Sequence, residues 1–295
     1  MKIGLIDVDS HNYPNIPLMK ISAYHKQQGN QVEFALPMNK YDVVYQSKVF
    51  TFSEDENTCI DTKQFIKGGT GYDLNNKLPE EIESMYPDYG LYGVKEAYGF
   101  LTRGCPRNCK FCIVGCKEGL KSVKVANLDK FWNGQKEIVL QDPNLLACKD
   151  RIELLDQLIE SKAKIDVNQG FDIRLMDDEV TDKIMKLNIK MLHFAWDNMK
   201  DSEVITKKLR EFKQATNVKA RKTRVYIITN FDTTIEEDLY RIYETEALGY
   251  DPFVMVYNRH LLPRGHIYKK LQRWCCNKFV YRACKKFDEY MKKGA

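Results

Sequence analysis

The chain has 295 residues, of which 43% are apolar and 29% charged, and this composition is typical of a folded protein with a sizeable core. No stretch approaches the roughly 18 apolar residues that a membrane-spanning helix needs, so we expect no membrane association. The apolar start contains an acid and lacks a small-residue cleavage site. It therefore favours a first strand over a signal peptide, with the cytoplasm as the expected compartment.

The formal net charge of +5 is unevenly distributed along the chain. Residues 264–295 contain ten Lys and Arg against two acids, so the rest of the chain is slightly acidic. A basic C-terminal helix of this kind indicates either a solvated surface or contact with a polyanion such as nucleic acid. The solvated surface is the interpretation that we prefer.

Residues 1–75 are predicted to form a small, Rossmann-like α/β unit. Strands are expected at 3–8, 32–36 and 41–50, with a helix over 16–28 that ends at Gly29. A glycine-rich turn at 68–71 closes the unit. Residues 76–96, which contain two prolines and two glycines, are predicted to be a linker to the next domain.

A regular alternation of strands and helices follows from residue 97 to residue 260. Six apolar strand segments are predicted, at 97–102, 137–141, 164–167, 190–196, 223–229 and 252–257. The segments between them carry apolar residues at helical spacing, and one has a capping-box start at Thr233 and Glu236. Six such units predict parallel strands with right-handed crossovers, in an open sheet or a partial barrel. Residues 261–295 are predicted to form the basic C-terminal helical extension.

Nine cysteines are a high and odd number for this chain, which is not typical of a disulfide framework. Four of them lie within residues 105–116, and clustered cysteines in a reducing compartment favour a metal or a cluster. Cys275, Cys276 and Cys284 indicate either packing on a helical face, which we prefer, or a second cluster. The histidines show no metal-ligand spacing with one another.

The segment that decides the chemistry follows the first of the six strands. Cys105, Cys109 and Cys112 have the spacing C-x3-C-x2-C, which places three thiolates in one loop, enough for three irons of a cubane. The fourth iron then keeps an open position, and an open position distinguishes a catalytic metal site from a structural one. A structural zinc site and a ferredoxin-like cluster closed by Cys116 are the alternatives.

These residues resemble the motif of the radical SAM superfamily, including the aromatic residue Phe111 immediately before the third cysteine. The resemblance implies a [4Fe–4S] cluster on Cys105, Cys109 and Cys112, with S-adenosylmethionine bound to the open iron and its adenine near Phe111. It also implies a partial (β/α)6 barrel over residues 97–260. The implied reaction is reductive cleavage of S-adenosylmethionine to a 5′-deoxyadenosyl radical, which abstracts hydrogen from an unidentified substrate. The electron would come from an external donor of the flavodoxin or ferredoxin type.

Ligands of α/β barrels lie at the carboxyl ends of the strands, so the segment after the second strand is a candidate for cofactor binding. Gln141, Asp142 and Asn144 lie at the position of the family's glycine–glutamate segment, which contacts the amino group of S-adenosylmethionine. Carboxylate and carbonyl oxygens there can accept hydrogen bonds from an ammonium group. A plain Asp-Pro-Asn turn is the alternative.

The segments after the third and fourth strands supply further candidates for cofactor binding. Gln169 is predicted to bond with ribose hydroxyls, and Arg174 to bind the carboxylate of S-adenosylmethionine in a forked pair. A surface position is the alternative for Arg174. Asp197 is predicted either to reach the ribose or substrate or to cap the next helix. No residue is assigned a catalytic role.

The N-terminal unit resembles a shortened cobalamin-binding domain. Asp9, Ser10 and His11 match the first positions of the Asp-x-His-x-x-Gly loop that binds cobalt in that family, but the glycine is missing. The unit is also too short for a five-stranded sheet. We therefore predict that it binds no cobalamin and acts in docking or substrate recognition.

The alternative function from another class is a non-catalytic iron–sulfur or zinc protein that binds nucleic acid through its basic C-terminus. This alternative predicts salt-sensitive binding and no cleavage of S-adenosylmethionine. A methylthiotransferase acting on RNA is disfavoured, because the N-terminal unit lacks a second cysteine trio and no C-terminal RNA-binding β-barrel is recognisable. The sequence does not select among the reactions that begin with the same radical.

Overall fold

The first part of the chain forms a four-stranded parallel sheet, and the computed structural model describes residues 1–10, 13–55 and 59–292. In spatial order the strands are β2 (Gln31–Phe34), β1 (Lys2–Asp7), β3 (Lys40–Ser47) and β4 (Asp61–Gly68). The three strands predicted from the sequence are confirmed. β4 was missed because most of its side chains are exposed and polar, so that it lacks the buried alternation of a typical strand.

Helix α1 (Ile16–Gln27) connects β1 to β2 and lies where the sequence predicted a helix. Asn15 caps its N-terminus by accepting a hydrogen bond from the Leu18 amide, and Pro17 occupies the first turn, where no amide donor is needed. Ile16 and Met19 on this helix pack against Tyr98 and Val139 of the following domain. The N-terminal unit is thus joined to the rest of the chain by buried apolar contacts.

The second part of the chain contains eight strands, six of them parallel. In chain order these strands are β5 (Ala97–Gly99), β6 (Thr102–Arg103), β7 (Val123–Lys124), β8 (Glu137–Leu140), β9 (Lys164–Val167), β10 (Leu192–Ala195), β11 (Thr223–Thr229) and β12 (Pro252–Val256). β6 and β7 form an antiparallel pair, whereas β5-β8-β9 and β10-β11-β12 form two parallel sheets. A parallel bridge between Ile165 and Ile189 links the two sheets. The predicted parallel α/β arrangement is confirmed, and the partial barrel stays a prediction.

Helix α2 (Glu80–Glu83) precedes the second part and packs Ile82 into the core of the N-terminal unit, and α3 (Val114–Glu118) lies between β6 and β7. The helices that connect the parallel strands and cover the apolar core of the second part are α4 (Arg151–Ser161), α5 (Asp178–Lys186), α6 (Ser202–Thr216) and α7 (Ile235–Ala247). Short 3-10 turns lie at Tyr89–Leu91, Leu128–Lys130, Leu145–Ala147, Ile173–Leu175, Ala220–Lys222 and Arg259–Leu261. The capping box of α7 is formed by Thr234 and Glu237, so the box predicted at Thr233 and Glu236 is wrong by one residue. Thr233 instead donates a hydrogen bond to Asp238.

The C-terminal extension consists of three short helices, α8 (Ile267–Cys276), α9 (Lys278–Ala283) and α10 (Phe287–Lys292), so the prediction of one basic helix is wrong. The physical reason is Asn277, whose side chain accepts hydrogen bonds from two amides of α9 and so begins a new helix there. Part of the basic charge is neutralised internally, since Lys278 pairs with Asp251 at 2.6 Å and Lys285 pairs with Glu246.

A buried ion pair joins α7 to the ends of β10 and β11. Arg241 and Asp238 are both 0% exposed and pair with each other. The Arg241 guanidinium also donates to the carbonyl of Trp196 at 2.7 Å and to that of Ile228 at 2.8 Å. This arginine therefore fixes the carboxyl ends of two neighbouring strands. Across the described residues, none of the helices is both long enough and apolar enough to cross a membrane.

Candidate functional site

The three-cysteine loop, residues 104–112, follows β6 directly and is held by the chain that returns in β7. The Cys105 amide donates a hydrogen bond to the Gly119 carbonyl at 3.1 Å. Gly104 has a φ of +86°, and a Cβ at this position would lie 2.1 Å from the Lys121 carbonyl oxygen. Only glycine adopts this conformation without strain, and only glycine leaves space for the returning backbone. The loop is thus positioned by backbone packing on the segment 119–124.

The three thiols of this loop lie within electrostatic reach of one another. Burial, followed by the charges of Asp197, Cys112 and Cys105, raises the pKa of Cys109 to about 11. The pKa of Cys112 is raised by burial and then by Cys105 and Asp197, against a backbone hydrogen bond that lowers it. The raised pKa keeps the Cys109 thiol protonated near neutral pH, and a metal bound to the sulfur would favour its ionised form.

The three cysteines of the loop are free thiols, the donor type that iron–sulfur clusters use. In the part of the chain that the structure describes, no three His, Cys, Asp or Glu side chains converge on one point as ligands of a single metal ion would. Three thiolates of a cubane each bind their own iron and are therefore spread around the cluster. Cys105, Cys109 and Cys112 have the donor chemistry for such ligation, and Cys116 is exposed on the short helix α3.

Asp142 supports the start of the loop. Its buried carboxylate accepts hydrogen bonds from the Leu101 amide at 3.1 Å, the Thr102 amide at 2.5 Å and the Thr102 hydroxyl at 2.7 Å. Asp142 thus connects the end of β8 to β6, immediately before the cysteines. With its oxygens engaged in this way, the side chain positions the loop, and its contact with a cofactor amino group stays a prediction.

The carboxyl of Asp142 is expected to make stability depend on pH. Burial raises its pKa from 3.8 to about 6, so between these values it is protonated in the folded protein and ionised in the unfolded chain. The free energy of unfolding should therefore fall as the pH rises through this window, by up to about 3 kcal/mol from this group. Urea titrations between about pH 4 and about pH 7 should show that D142N lacks this component. A difference between native and D142N stabilities that does not change with pH would contradict the assignment.

A charged network extends from Cys105 across the carboxyl ends of β8 and β9. Asn144 donates through Nδ2 to the Cys105 sulfur at 3.6 Å and to Asp172 at 3.2 Å. Asp172 also accepts from Arg107 at 2.5 Å and from Arg174 at 2.7 Å. Burial acts to raise the pKa of Asp172, but the hydrogen bonds and charges of the two arginines lower it overall. The carboxylate therefore stays ionised beside the loop.

Arg174 lies inside this network, so the surface alternative for this residue is wrong. Its side chain is 21% exposed and pairs with Asp201 as well as with Asp172. Asp172 itself was not predicted as a site residue. The available signal was its position two residues after Gly170, in the segment that follows the third predicted strand.

The side chain of Asn144 contains a hydrogen-bond acceptor that receives no donor from the described part of the chain. The residue is buried, and its Oδ1 atom has no hydrogen-bond partner there. A buried acceptor without a partner costs about 1–3 kcal/mol, so such atoms commonly receive a donor from a ligand or water. The unused oxygen belongs to the same side chain that contacts the Cys105 sulfur.

Asp197 lies at the carboxyl end of β10, close enough to the loop to influence two of its thiols. Its Oδ1 accepts a hydrogen bond from the Ile228 amide at 3.2 Å, and burial raises its pKa to about 6. Helix α6 begins at Ser202, immediately after Asp201. The alternative that Asp197 caps this helix is therefore wrong.

Three aromatic side chains line the same edge of the sheet. Phe111 meets Phe231 edge to face, with ring centroids 5.5 Å apart, and Phe231 meets Tyr257 at 4.9 Å. Phe231 follows β11 by two residues and was not predicted, although an aromatic residue directly after a strand was visible in the sequence. The rings form an apolar wall beside the cysteine loop, of the kind on which a heterocyclic base can pack.

The remaining predicted residues are distributed as follows. Gln141 is half-buried and Gln169 is exposed, both at the carboxyl ends of their strands, and their cofactor contacts stay predictions. Cys275 and Cys276 donate to the carbonyls of Pro252 and Val254, each at 3.5 Å, which supports the packing interpretation.

The segment that resembles the cobalt-binding loop is described only in part. The Asp9 carboxylate accepts hydrogen bonds from the Val49 amide at 2.7 Å and the Phe50 amide at 2.8 Å. His11 and Asn12 lie outside the described residues. The prediction that this unit binds no cobalamin remains to be tested.

Comparison with known proteins found solved structures of low similarity to this chain. No family model matches the chain, and no curated protein matches it. A structure of SuiB from Streptococcus suis bound to S-adenosylmethionine is similar at 11% identity and a TM-score of 0.43, over 72% of this chain and 52% of SuiB. A structure of SuiB bound to its precursor peptide SuiA is similar at 10% identity and a TM-score of 0.43, over 78% of this chain and 54% of SuiB. The chain spans about half the length of SuiB, and a function must be argued from its own residues.

Proposed function

We propose that this protein is a radical SAM enzyme. The observation that carries the proposal is the loop of Cys105, Cys109 and Cys112 at the carboxyl edge of a series of parallel strands, where α/β proteins bind their ligands. These three cysteines would hold a [4Fe–4S] cluster. When bound and reduced, such a cluster supplies the electron that cleaves the carbon–sulfur bond of S-adenosylmethionine and releases methionine and a 5′-deoxyadenosyl radical.

The residues around the loop are suited to bind the polar part of S-adenosylmethionine. The unused Oδ1 of Asn144 can accept a hydrogen bond from the amino group, beside the Cys105 sulfur. Arg174 can bind the carboxylate if the ligand replaces one of its two present partners, Asp172 and Asp201. Asp172 would then keep the arginine oriented.

The other half of the cofactor is matched by apolar and acidic groups. Phe111 and Phe231 offer aromatic surface for the adenine. Asp197 is placed to accept hydrogen bonds from ribose hydroxyls or from the substrate, and Gln169 could supplement it from the neighbouring strand. We infer that the six parallel strands curve into a partial (β/α)6 barrel around this ligand.

The reaction requires a reducing environment and an electron donor. All nine cysteines are free, which accords with the cytoplasm as the compartment. The electron would come from a flavodoxin- or ferredoxin-type carrier. The substrate, from which the 5′-deoxyadenosyl radical abstracts hydrogen, is not identified by the residues of the site.

The test is anaerobic reconstitution with iron and sulfide, followed by dithionite and S-adenosylmethionine. We expect about four irons per chain, together with 5′-deoxyadenosine and methionine in equal amounts, measured by liquid chromatography. Protein that binds zinc in place of iron, or a reduced cluster that yields no 5′-deoxyadenosine, would refute the proposal. Salt-sensitive binding of RNA or DNA without this product would favour the non-catalytic alternative.

A further inference from the structure

Two phenylalanines of the N-terminal unit and one histidine of the second part form an exposed pile of rings, which we call the ring stack. Phe50 and Phe52 lie with their ring centroids 5.2 Å apart and an interplanar angle of 19°. The ring of His260 lies 4.0 Å from that of Phe52, at an angle of 23°. Phe50 is 44% exposed and Phe52 is 56% exposed, and His260 is exposed as well. The proposed reaction gives these three residues no role.

The backbone that carries Phe50 is held from two sides. On one side, the Asp9 carboxylate accepts hydrogen bonds from the amides of Val49 and Phe50. On the other side, the glycine-rich turn bonds to this segment, since the Gly71 amide donates to the Lys48 carbonyl at 2.9 Å. The rings are therefore displayed in place before any ligand binds, which lowers the entropy cost of binding a ligand that stacks on them.

The ring stack adjoins the aromatic wall of the candidate site. Tyr257, which contacts Phe231 in that wall, precedes His260 by three residues. The Asn230 side chain donates to the Tyr257 carbonyl at 2.9 Å and so connects this segment to the end of β11. A molecule bound to the ring stack would thus lie at the same carboxyl edge of the strands as the cysteine loop.

The segment 259–270, which carries His260, is basic and contains no acid. Arg259 donates to the Gln272 side chain at 2.8 Å, and Lys269 donates to the Leu262 carbonyl. These two bonds hold the first turns of α8 against the segment that follows β12. The four cations of the segment form no ion pair with a residue that the structure describes, and they are Arg259, Arg264, Lys269 and Lys270.

Acidic groups beside the ring stack offset only part of this charge. Residues 48–56 and 259–270 together contain five Lys and Arg against three Asp and Glu. Asp55 is itself held by Lys48 at 2.7 Å and by Lys67 at 2.6 Å. Glu236 of α7 lies within electrostatic reach of Tyr268, eight residues beyond His260 in the chain. The surface beside the exposed rings therefore keeps a positive surplus on the side of residues 259–270.

We propose that the ring stack and the basic segment 259–270 form a binding site for single-stranded nucleic acid, which goes beyond the proposed reaction. A base of the strand stacks on the exposed rings, and neighbouring phosphates contact Arg259 and Arg264. Nucleic acid offers a phosphate and a flat ring in every unit, whereas an acidic peptide offers carboxylates without a regular series of rings. In a duplex the bases are paired inside the helix, so the ring stack selects single strands.

Binding is measured by fluorescence anisotropy with the reconstituted protein and a fluorescein-labelled strand of about 12 nucleotides and mixed sequence. The strand is supplied as RNA, as DNA and as the duplex of each. We expect a single strand to bind about tenfold more tightly than its duplex. Tighter binding of RNA than of DNA would identify an additional contact to the 2′-hydroxyl.

Two variants separate the contribution of the rings from that of the charges. F52A/H260A should raise the dissociation constant for the single strand about tenfold or more, because it removes two of the three stacked rings. R259Q/R264Q should lower the slope of log Kd against log salt concentration by about 1.4, since each phosphate contact of a single strand contributes about 0.7. The matched control is F279A/R282Q, which removes an exposed ring and an exposed cation from α9 and should bind like the native protein.

Four results would overturn the proposal. They are an unchanged dissociation constant in F52A/H260A, an equal loss in F279A/R282Q, duplex binding as tight as single-strand binding, and no binding of either strand to the native protein at low ionic strength. A tyrosine-rich acidic peptide that binds more tightly than either strand, and loses its affinity in F52A/H260A, would assign the ring stack to a protein partner instead.

The fate of the proposed function is read separately, from 5′-deoxyadenosine formed with dithionite and S-adenosylmethionine. F52A/H260A should form this product at the native rate without nucleic acid, because neither ring belongs to the cysteine loop or to the network around Asp172. A native protein that binds the strand but forms no product refutes the radical SAM proposal and leaves the nucleic-acid site in place. Product formation together with unchanged strand binding by F52A/H260A has the opposite meaning.

Discussion

Replacement of Cys105, Cys109 or Cys112 by alanine is expected to abolish formation of 5′-deoxyadenosine. Each thiolate holds a different iron in the proposed cluster, so removal of one leaves an iron without its ligand. The reconstituted variants should contain far less than the roughly four irons per chain of the intact site. Iron analysis, the visible absorbance spectrum and chromatographic detection of 5′-deoxyadenosine measure the outcome. Retention of product by any of the three variants would remove that cysteine from the ligand set.

Cys116 provides the matched control for these substitutions. It lies seven or fewer residues from two of the three cysteines, but its side chain is exposed on α3. C116A should therefore keep its iron and its product formation. Loss of the cluster in C116A would instead indicate a fourth thiolate ligand and a closed cluster, which would contradict the open iron that the reaction requires.

Replacement of Arg241 by methionine is expected to lower the free energy of unfolding by about 3–5 kcal/mol, the usual cost of removing one partner from a buried ion pair. Methionine conserves much of the volume but leaves the Asp238 carboxylate buried without a counter-charge. It also leaves the carbonyls of Trp196 and Ile228 without their guanidinium donors. Urea unfolding, followed by far-ultraviolet circular dichroism, measures the change.

The control for this second substitution is K207A, on the exposed face of α6. Its free energy of unfolding should stay within about 0.5 kcal/mol of the native value, as for most surface changes. A loss of less than about 1 kcal/mol in R241M would show that the pair contributes little, as some buried ion pairs do. Because Asp197 follows Trp196 and accepts from the Ile228 amide, the arginine also supports the candidate site.

The strands were predictable where apolar residues alternate with polar ones or form a short run. β9 and β11 were expected at 164–167 and 223–229, and the structure has them at the same residues. In β9 the buried Ile165 and Val167 alternate with polar residues, and in β11 the segment 225–228 is a short apolar run, so both segments carry a recognisable strand pattern. The pairing of β6 with β7 was missed, since each has two residues and their contact depends on the loop between them.

The three cysteines and Phe111 were found because their chemistry and spacing are local. The hydrogen-bond and ion-pair network around Asp172 was not predicted from the sequence, because its members Arg107, Asn144 and Arg174 come from three different segments of the chain. No local pattern specifies which acid two arginines will share. The three-cysteine loop could thus be proposed as a metal-binding segment from the sequence, whereas the ion pairs around it required the folded structure.

The contact between Gly104 and the Lys121 carbonyl has a consequence for how this sequence can change over evolutionary time. Any side chain at position 104 would collide with main-chain atoms, which cannot rotate away as a neighbouring side chain can. A substitution there would require the strand after the loop to be rebuilt in the same event. Single mutations are therefore excluded at this position by backbone geometry alone, even though the residue has no functional group to offer a reaction.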